Sequence, residues 1–81
     1  ISARVITGTA VHDGEEEFHA WNLVRIDGIY YNLDATWDSA FGAQEYFLKS
    51  DESFSRDHVR SEVYAADAFY QEYPMSPYDY E

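Results

Sequence analysis

Hydrophobic and polar positions alternate most regularly between Phe18 and Trp37, FHAWNLVRIDGIYYNLDATW, where two runs rich in β-branched and aromatic residues flank Asp27-Gly28. A period of two is the mark of a half-buried strand, and Asp-Gly favours the two-residue type I′ hairpin turn. The expected strands are 17–26 and 29–37. Such a turn fixes the register: Ile26 faces Ile29, Arg25 faces Tyr30, Trp21 faces Asp34 and His19 faces Thr36. Directly opposed residues share a face. Phe18, Ala20, Asn22, Val24 and Ile26 therefore lie with Ile29, Tyr31, Leu33, Ala35 and Trp37 on an apolar face read as the core. His19, Trp21, Leu23 and Arg25 lie with Tyr30, Asn32, Asp34 and Thr36 on a mixed face polar enough to hold a site. His19 and Asp34 are diagonal neighbours there, with Cβ atoms roughly 7–8 Å apart. A slip of one residue would send them to opposite faces.

The rest of the chain is patterned less clearly. Residues 3–9, containing Arg4, Val5, Ile6 and Thr7, read as a first strand, and Val11 to Glu17 as a polar connector turning at Gly14. Ser39 to Gln44, with Gly42, reads as a turn before Tyr46-Phe47-Leu48, which fits strand or helix equally. Ser50, followed by Asp51 and Glu52, is a helix start, with a capping hydroxyl and acids at the positive end of the dipole. That helix is expected to run to about Asp57. Val63, Ala66, Phe69 and Tyr73 recur at helical spacing, which predicts an amphipathic helix over Glu62–Glu72 stopped by Pro74. Residues 74–81, PMSPYDYE, read as a loose tail. The fold class expected is α+β: an antiparallel sheet of about three strands with one or two short helices.

Composition narrows the function classes. A formal charge of −11, from 16 acids against five bases, argues against nucleic acid or an anionic membrane surface as partner. An aromatic content of 19% is high enough to exclude a disordered chain over residues 1–60. There is no apolar run long enough for a membrane-spanning helix. The chain contains no cysteine, so it carries neither a disulfide framework nor a thiol nucleophile.

The candidate chemistry rests on His19 and Asp34. A histidine held by a carboxylate is the orienting part of a nucleophilic triad, since the carboxylate fixes the tautomer and stabilises the imidazolium after proton transfer. The nucleophile is missing, for no serine sits in a GxSxG elbow. On spacing alone, an incidental pair on a hairpin is the favoured reading. His12, Asp13, Glu15 to Glu17 and His19 are too tightly spaced for a familiar metal-ligand pattern, and neither a metal nor a cofactor is called for. His58 and Arg60 read as polar surface after a short helix, with a second site as the alternative. Trp21, beside His19, reads either as a site-lining residue or as ordinary sheet packing.

The run His19-Ala20-Trp21-Asn22, with Tyr31-Asn32-Leu33-Asp34-Ala35-Thr36-Trp37-Asp38 after the turn, resembles the His and Asp blocks of the transglutaminase-like superfamily. Ala3 to Gly8, Tyr46 to Asp51, Phe54 and Asp57-His58 are also similar to bacterial members, so the resemblance covers about residues 1–60. It implies a papain-like architecture and a Cys-His-Asp triad for acyl transfer or for amide or peptide hydrolysis. His19 would be the general base and acid, Asp34 its orienter and Trp21 a lining residue. The family's cysteine opens a helix before the strand matched by Ala3 to Gly8. By that comparison residues 1–73 are the C-terminal half of such a domain. The helical part would cover Trp21, Leu23 and Tyr30, which its absence would leave open.

The resemblance further implies a protein or peptide substrate and no thiol chemistry from this chain by itself; the compartment stays open, a bacterial, cell-surface or secreted setting being compatible with it. A non-catalytic module that binds a peptide or carbohydrate on the same fold is the alternative.

Overall fold

In the computed structural model of the chain, residues 2–41 and 45–80 are described. The strands are β1 (Ala3–His12), β2 (Glu15–Ile26), β3 (Ile29–Leu33) and β4 (His58–Arg60), and the helices are α1 (Ala35–Phe41), α2 (Asp51–Phe54), α3 (Glu62–Ala65) and α4 (Asp67–Glu72). All strand pairs are antiparallel, in the order β3-β2-β1-β4. The class is α+β, with one strand more than the pattern predicts.

Both hairpins turn on the same dipeptide. Asp27 and Gly28 adopt φ of 52° and 84°, and Asp13 and Gly14 adopt φ of 53° and 77°. Positive φ at both central residues is the type I′ requirement, and its twist matches that of the flanking strands. The β2–β3 register is the one expected, Ile26 opposite Ile29 through Asn22 opposite Leu33. The segment from Val11 to Glu17 is not a connector. It continues the β1–β2 ladder to His12 opposite Glu15, with Asp13-Gly14 as its tip.

The assignment of faces is reversed. Trp21, Leu23, Tyr30 and Asn32 are buried, while Phe18 and Val5, on the opposite face, are 73% and 58% exposed. The mixed face is the core face of this chain. Ile6, Trp21, Leu23 and Tyr30 pack there with Phe54 of α2 and Phe69 of α4. The polar residues on that face do not need water, because they satisfy one another. Trp21 Nε1 donates to Asn32 Oδ1 at 3.0 Å, and Asn32 Nδ2 donates to Asp51 Oδ1 at 2.8 Å. A buried polar group that is fully paired costs little. Trp21, Leu23 and Tyr30 are accordingly covered by the chain's own C-terminal segments rather than left open.

Helix boundaries differ from the pattern as well. β3 ends at Leu33 rather than continuing to 37, because Asp34 caps a helix: its Oδ1 accepts from the Trp37 amide at 3.1 Å, and its carbonyl accepts from Asp38. Trp37 is buried as expected, but from α1. Gly42 to Gln44 of the turn expected at 39–44 lie outside the described residues, while Ser39 to Phe41 end α1. Tyr46 to Leu48 are neither strand nor helix. Ser50 caps α2 as expected, accepting from Ser53, though α2 ends at Phe54. The helix expected over 62–72 is broken at Ala66, whose ψ of 149° is extended. Residues 74–80 do not form a loose tail. Tyr30 donates to the Pro74 carbonyl, Ser76 donates to the Tyr30 carbonyl, and the Ser50 amide donates to Asp79 Oδ1.

Gly8 sits in β1 between His19 of β2 and Arg60 of β4. A Cβ there would lie 2.0 Å from the Val59 carbonyl oxygen and 2.9 Å from both Arg60 Cα and the Trp21 ring. Backbone cannot yield to such an approach as a side-chain tip can. Gly8→Ala should detach β4 from β1, with fast amide exchange at Val11 and Ser61, whose N–H groups bond across that seam to Asp57 and Thr7. Native protection at both amides in the variant would show that the seam tolerates a side chain.

Candidate functional site

The β1–β2 and β1–β4 registers bring three side chains to one spot. His19 lies opposite Gly8, and His58 lies opposite Ala10, so both flank a stretch of β1 with almost no side-chain bulk. Asp34 enters from the cap of α1, between them. His19 Nε2 is 2.7 Å from Asp34 Oδ2, and His58 Nε2 is 2.8 Å from the same oxygen. The other nitrogen of His58, Nδ1, is 2.7 Å from Asp57 Oδ1, and Asp57 Oδ2 accepts from the Tyr46 hydroxyl at 2.7 Å. The result is a continuous chain from Tyr46 through Asp57, His58 and Asp34 to His19.

Burial grades along this chain. The His58 and Asp34 side chains are 0% and 1% exposed, while His19 retains 14%. His19 at one end and Asp57, 20% exposed, nearer the other are thus the members that meet solvent, with His58 and Asp34 sealed between them. Its ring is 5.6 Å from Trp37 and 6.4 Å from Trp21, centroid to centroid, and the two indoles wall it. Trp21 is 3% exposed, so it supports the histidine from within the core more than it lines an open surface.

Burial pushes the Asp34 carboxyl upward, but hydrogen bonds from His58, the Trp37 amide and His19 outweigh it and hold the group below its ordinary value of 3.8. An ionised Asp34 only accepts, so His19 donates from Nε2, and Nδ1 is left with its lone pair as the basic nitrogen. Burial and the bond to Asp57 push the Tyr46 hydroxyl well above the usual tyrosine range. It stays a donor.

A stability consequence follows for acid. Because the folded value of Asp34 lies below the unfolded one, its contribution is complete above 3.8 and is lost as pH falls through the lowered value. Asp79, lowered chiefly by the Ser50 amide, acts in the same direction. Urea midpoints should be flat on the acid side down to about pH 4 and then drop. A midpoint that holds through that window would mean that neither carboxylate is bound more tightly as the anion.

The donor atoms of His19, Asp34 and His58 all lie within 4.8 Å of one another, a set that could suit a divalent cation. Here two short hydrogen bonds occupy the space between them. Among the expected site residues, His19 and Asp34 come together and Trp21 packs beside them. His58 was read as surface and is instead buried at the centre. Its signal in the sequence was the adjacent Asp57-His58 pair, whereas its own strand, β4, is too short for periodicity to register. His12 lies apart from this cluster, stacked on Phe41 at 4.2 Å. Arg60 pairs with Asp51 at 3.1 Å, and both line a cavity shared with Trp21.

Comparison with family models, with curated proteins and with solved structures gives no match to this chain. Among the described residues, no helix is long and apolar enough to cross a membrane.

Proposed function

We propose that this chain is the His-Asp half of a transglutaminase-like domain of papain-like architecture, acting on a protein or peptide carboxamide or peptide bond. The observation that best supports the reading is the 2.7 Å bond between His19 Nε2 and a fully buried Asp34, on a ring that still reaches solvent. In this scheme a thiol from outside these residues gives its proton to His19 Nδ1 and attacks the carbonyl carbon. The imidazolium then protonates the leaving amine as the carbon–nitrogen bond breaks. Water or an amine, deprotonated by His19, resolves the thioester. Asp34 fixes the ring and stabilises its charged form throughout. The chain has no cysteine and is inert alone in this scheme.

The test is amine incorporation into a glutamine peptide, and peptide hydrolysis, by a polypeptide that joins a cysteine-bearing helix to this chain. A second reading, a module that binds peptide or carbohydrate, draws on a cavity of about 240 Å³ lined by Trp21, Asn32, Asp51, Phe54, Arg60 and Tyr70. Inertness of the joined polypeptide together with ligand binding in that cavity would favour it.

A further inference from the structure

We propose that His58 is a positioning residue that carries a proton on both ring nitrogens, an imidazolium buried between Asp57 and Asp34 that holds Asp34 ionised and aimed at His19. The inference deepens the reading of His19 and Asp34 as a catalytic pair and rests on it. Its basis is a count of donors and acceptors. His58 Nδ1 meets Asp57 Oδ1 at 2.7 Å, and Nε2 meets Asp34 Oδ2 at 2.8 Å. A neutral imidazole has one donor nitrogen and one acceptor nitrogen, and a carboxylate has no donor. With both carboxylates ionised, they can be served at once only by the doubly protonated ring. Each carboxylate is independently committed to accepting. Asp57 Oδ2 takes the Tyr46 hydroxyl at 2.7 Å, and Asp34 takes the Trp37 amide on Oδ1 and His19 on Oδ2.

The surroundings suit a cation. Four aromatic rings enclose His58: Phe54 at 4.5 Å, Trp37 at 4.7 Å, Trp21 at 4.9 Å and Tyr46 at 5.5 Å between centroids. Aromatic faces attract a desolvated cation, and a buried charge is tolerated when it is paired on every side. The titratable groups around the ring are Asp34 from the cap of α1, Asp57 beside it in sequence, Tyr46 from the segment before α2 and His19 of β2. With His58 charged, carboxylate and imidazolium alternate in sign from Asp57 to Asp34. His19 then faces an anion already balanced from behind, and Asp34 resists taking the proton that His19 must carry back to the leaving group.

The experiment is nitrogen-15 NMR on the histidine-labelled 81-residue chain, at about pH 8, above the range where an ordinary histidine titrates. His58 should show two protonated nitrogens, and His19 one protonated and one pyridine-type nitrogen. Asp57→Asn leaves the His58 ring in place and does not touch Asp34. It should nonetheless convert His58 to a singly protonated ring and move the Asp34 carboxylate titration, read by carbon-13, to higher pH. His58→Gln, one neutral donor in place of the cation, should move Asp34 upward as well.

A pyridine-type nitrogen on His58 in the parent chain overturns the proposal, and that measurement needs no variant. So does an Asp34 titration unmoved in folded Asp57→Asn. Stoichiometric zinc binding by the parent, lost in His58→Gln, would show instead that the three side chains form a metal site. None of these signals depends on acyl transfer. Failure of the activity assay leaves them standing, and their failure leaves the roles of His19 and Asp34 to the activity assay.

Discussion

Asp34→Ala should leave the 81-residue chain largely unfolded at ambient temperature. The carboxylate accepts from His19, His58 and the Trp37 amide, and its side chain is 1% exposed. Its loss removes the cap of α1, which costs about 0.5–2 kcal/mol. It also strands His58 with a donor and a charge that have no other acceptor beyond Asp57. Removing one partner of a buried charged pair costs about 3–5 kcal/mol, most of it the penalty left on the survivor. A domain of this length has about 4–12 kcal/mol of stability in all, so the loss is comparable with the whole. Asp34→Asn should do less damage but still destabilise. Its amide can accept from the two histidines or from the Trp37 amide on oxygen, and on the other side it presents a donor to a donor. Urea denaturation followed by circular dichroism measures both. An alanine variant within about 1 kcal/mol of the parent would mean that the network is not a principal support of the fold.

That expectation could not have been drawn from the sequence, and the reason lies in which contacts are local. The Asp27-Gly28 hairpin and its register were legible because turn chemistry and alternation act over neighbouring residues. The proximity of His19 and Asp34 was expected from that register, but the ladder stops at Leu33 and Asp34 reaches His19 from the cap of α1 instead of from a paired strand. Asp13-Gly14 carried the same turn signal, but the run of glutamates around it was read as a solvated connector. The face assignment failed for a different cause. Counting apolar residues favours the side with Phe18, Val24 and Ile29, whereas Trp21, Asn32 and Asp34 are buried as partners in a paired network. Which face is covered depends on where α2, α4 and residues 74–80 return, and no local pattern states that.

His58 illustrates the point most sharply. β4 is three residues long, with Val59 60% exposed, so it has no amphipathic signature. It pairs with β1 across a long separation in sequence, and it can do so because Gly8 leaves the backbone approachable. A glycine inside an alternating strand is a sign of close approach by another backbone. Gly8 was thus the residue that could have announced a fourth strand, and Asp57-His58 the pair that could have announced its cargo.

The largest functional effect expected is that of His19→Ala in the polypeptide completed by a cysteine-bearing helix. Turnover should fall by about four to six orders of magnitude, because the thiol loses the base that generates its nucleophilic form and the leaving amine loses its proton donor. The fold should survive. His19 is the least buried of the three clustered side chains, and Asp34 keeps its bonds from His58 and the Trp37 amide when the ring is removed. That asymmetry separates the two variants: Asp34→Ala acts through folding, and His19→Ala acts on the reaction. Amine incorporation and peptide hydrolysis are to be measured on the folded variant, with iodoacetamide as the thiol control and urea denaturation as the check on stability. A rate unchanged by His19→Ala would remove His19 from the chemistry. A folded, completed polypeptide that is inert on a broad panel of glutamine and peptide substrates would replace the acyl-transfer reading with that of a binding module.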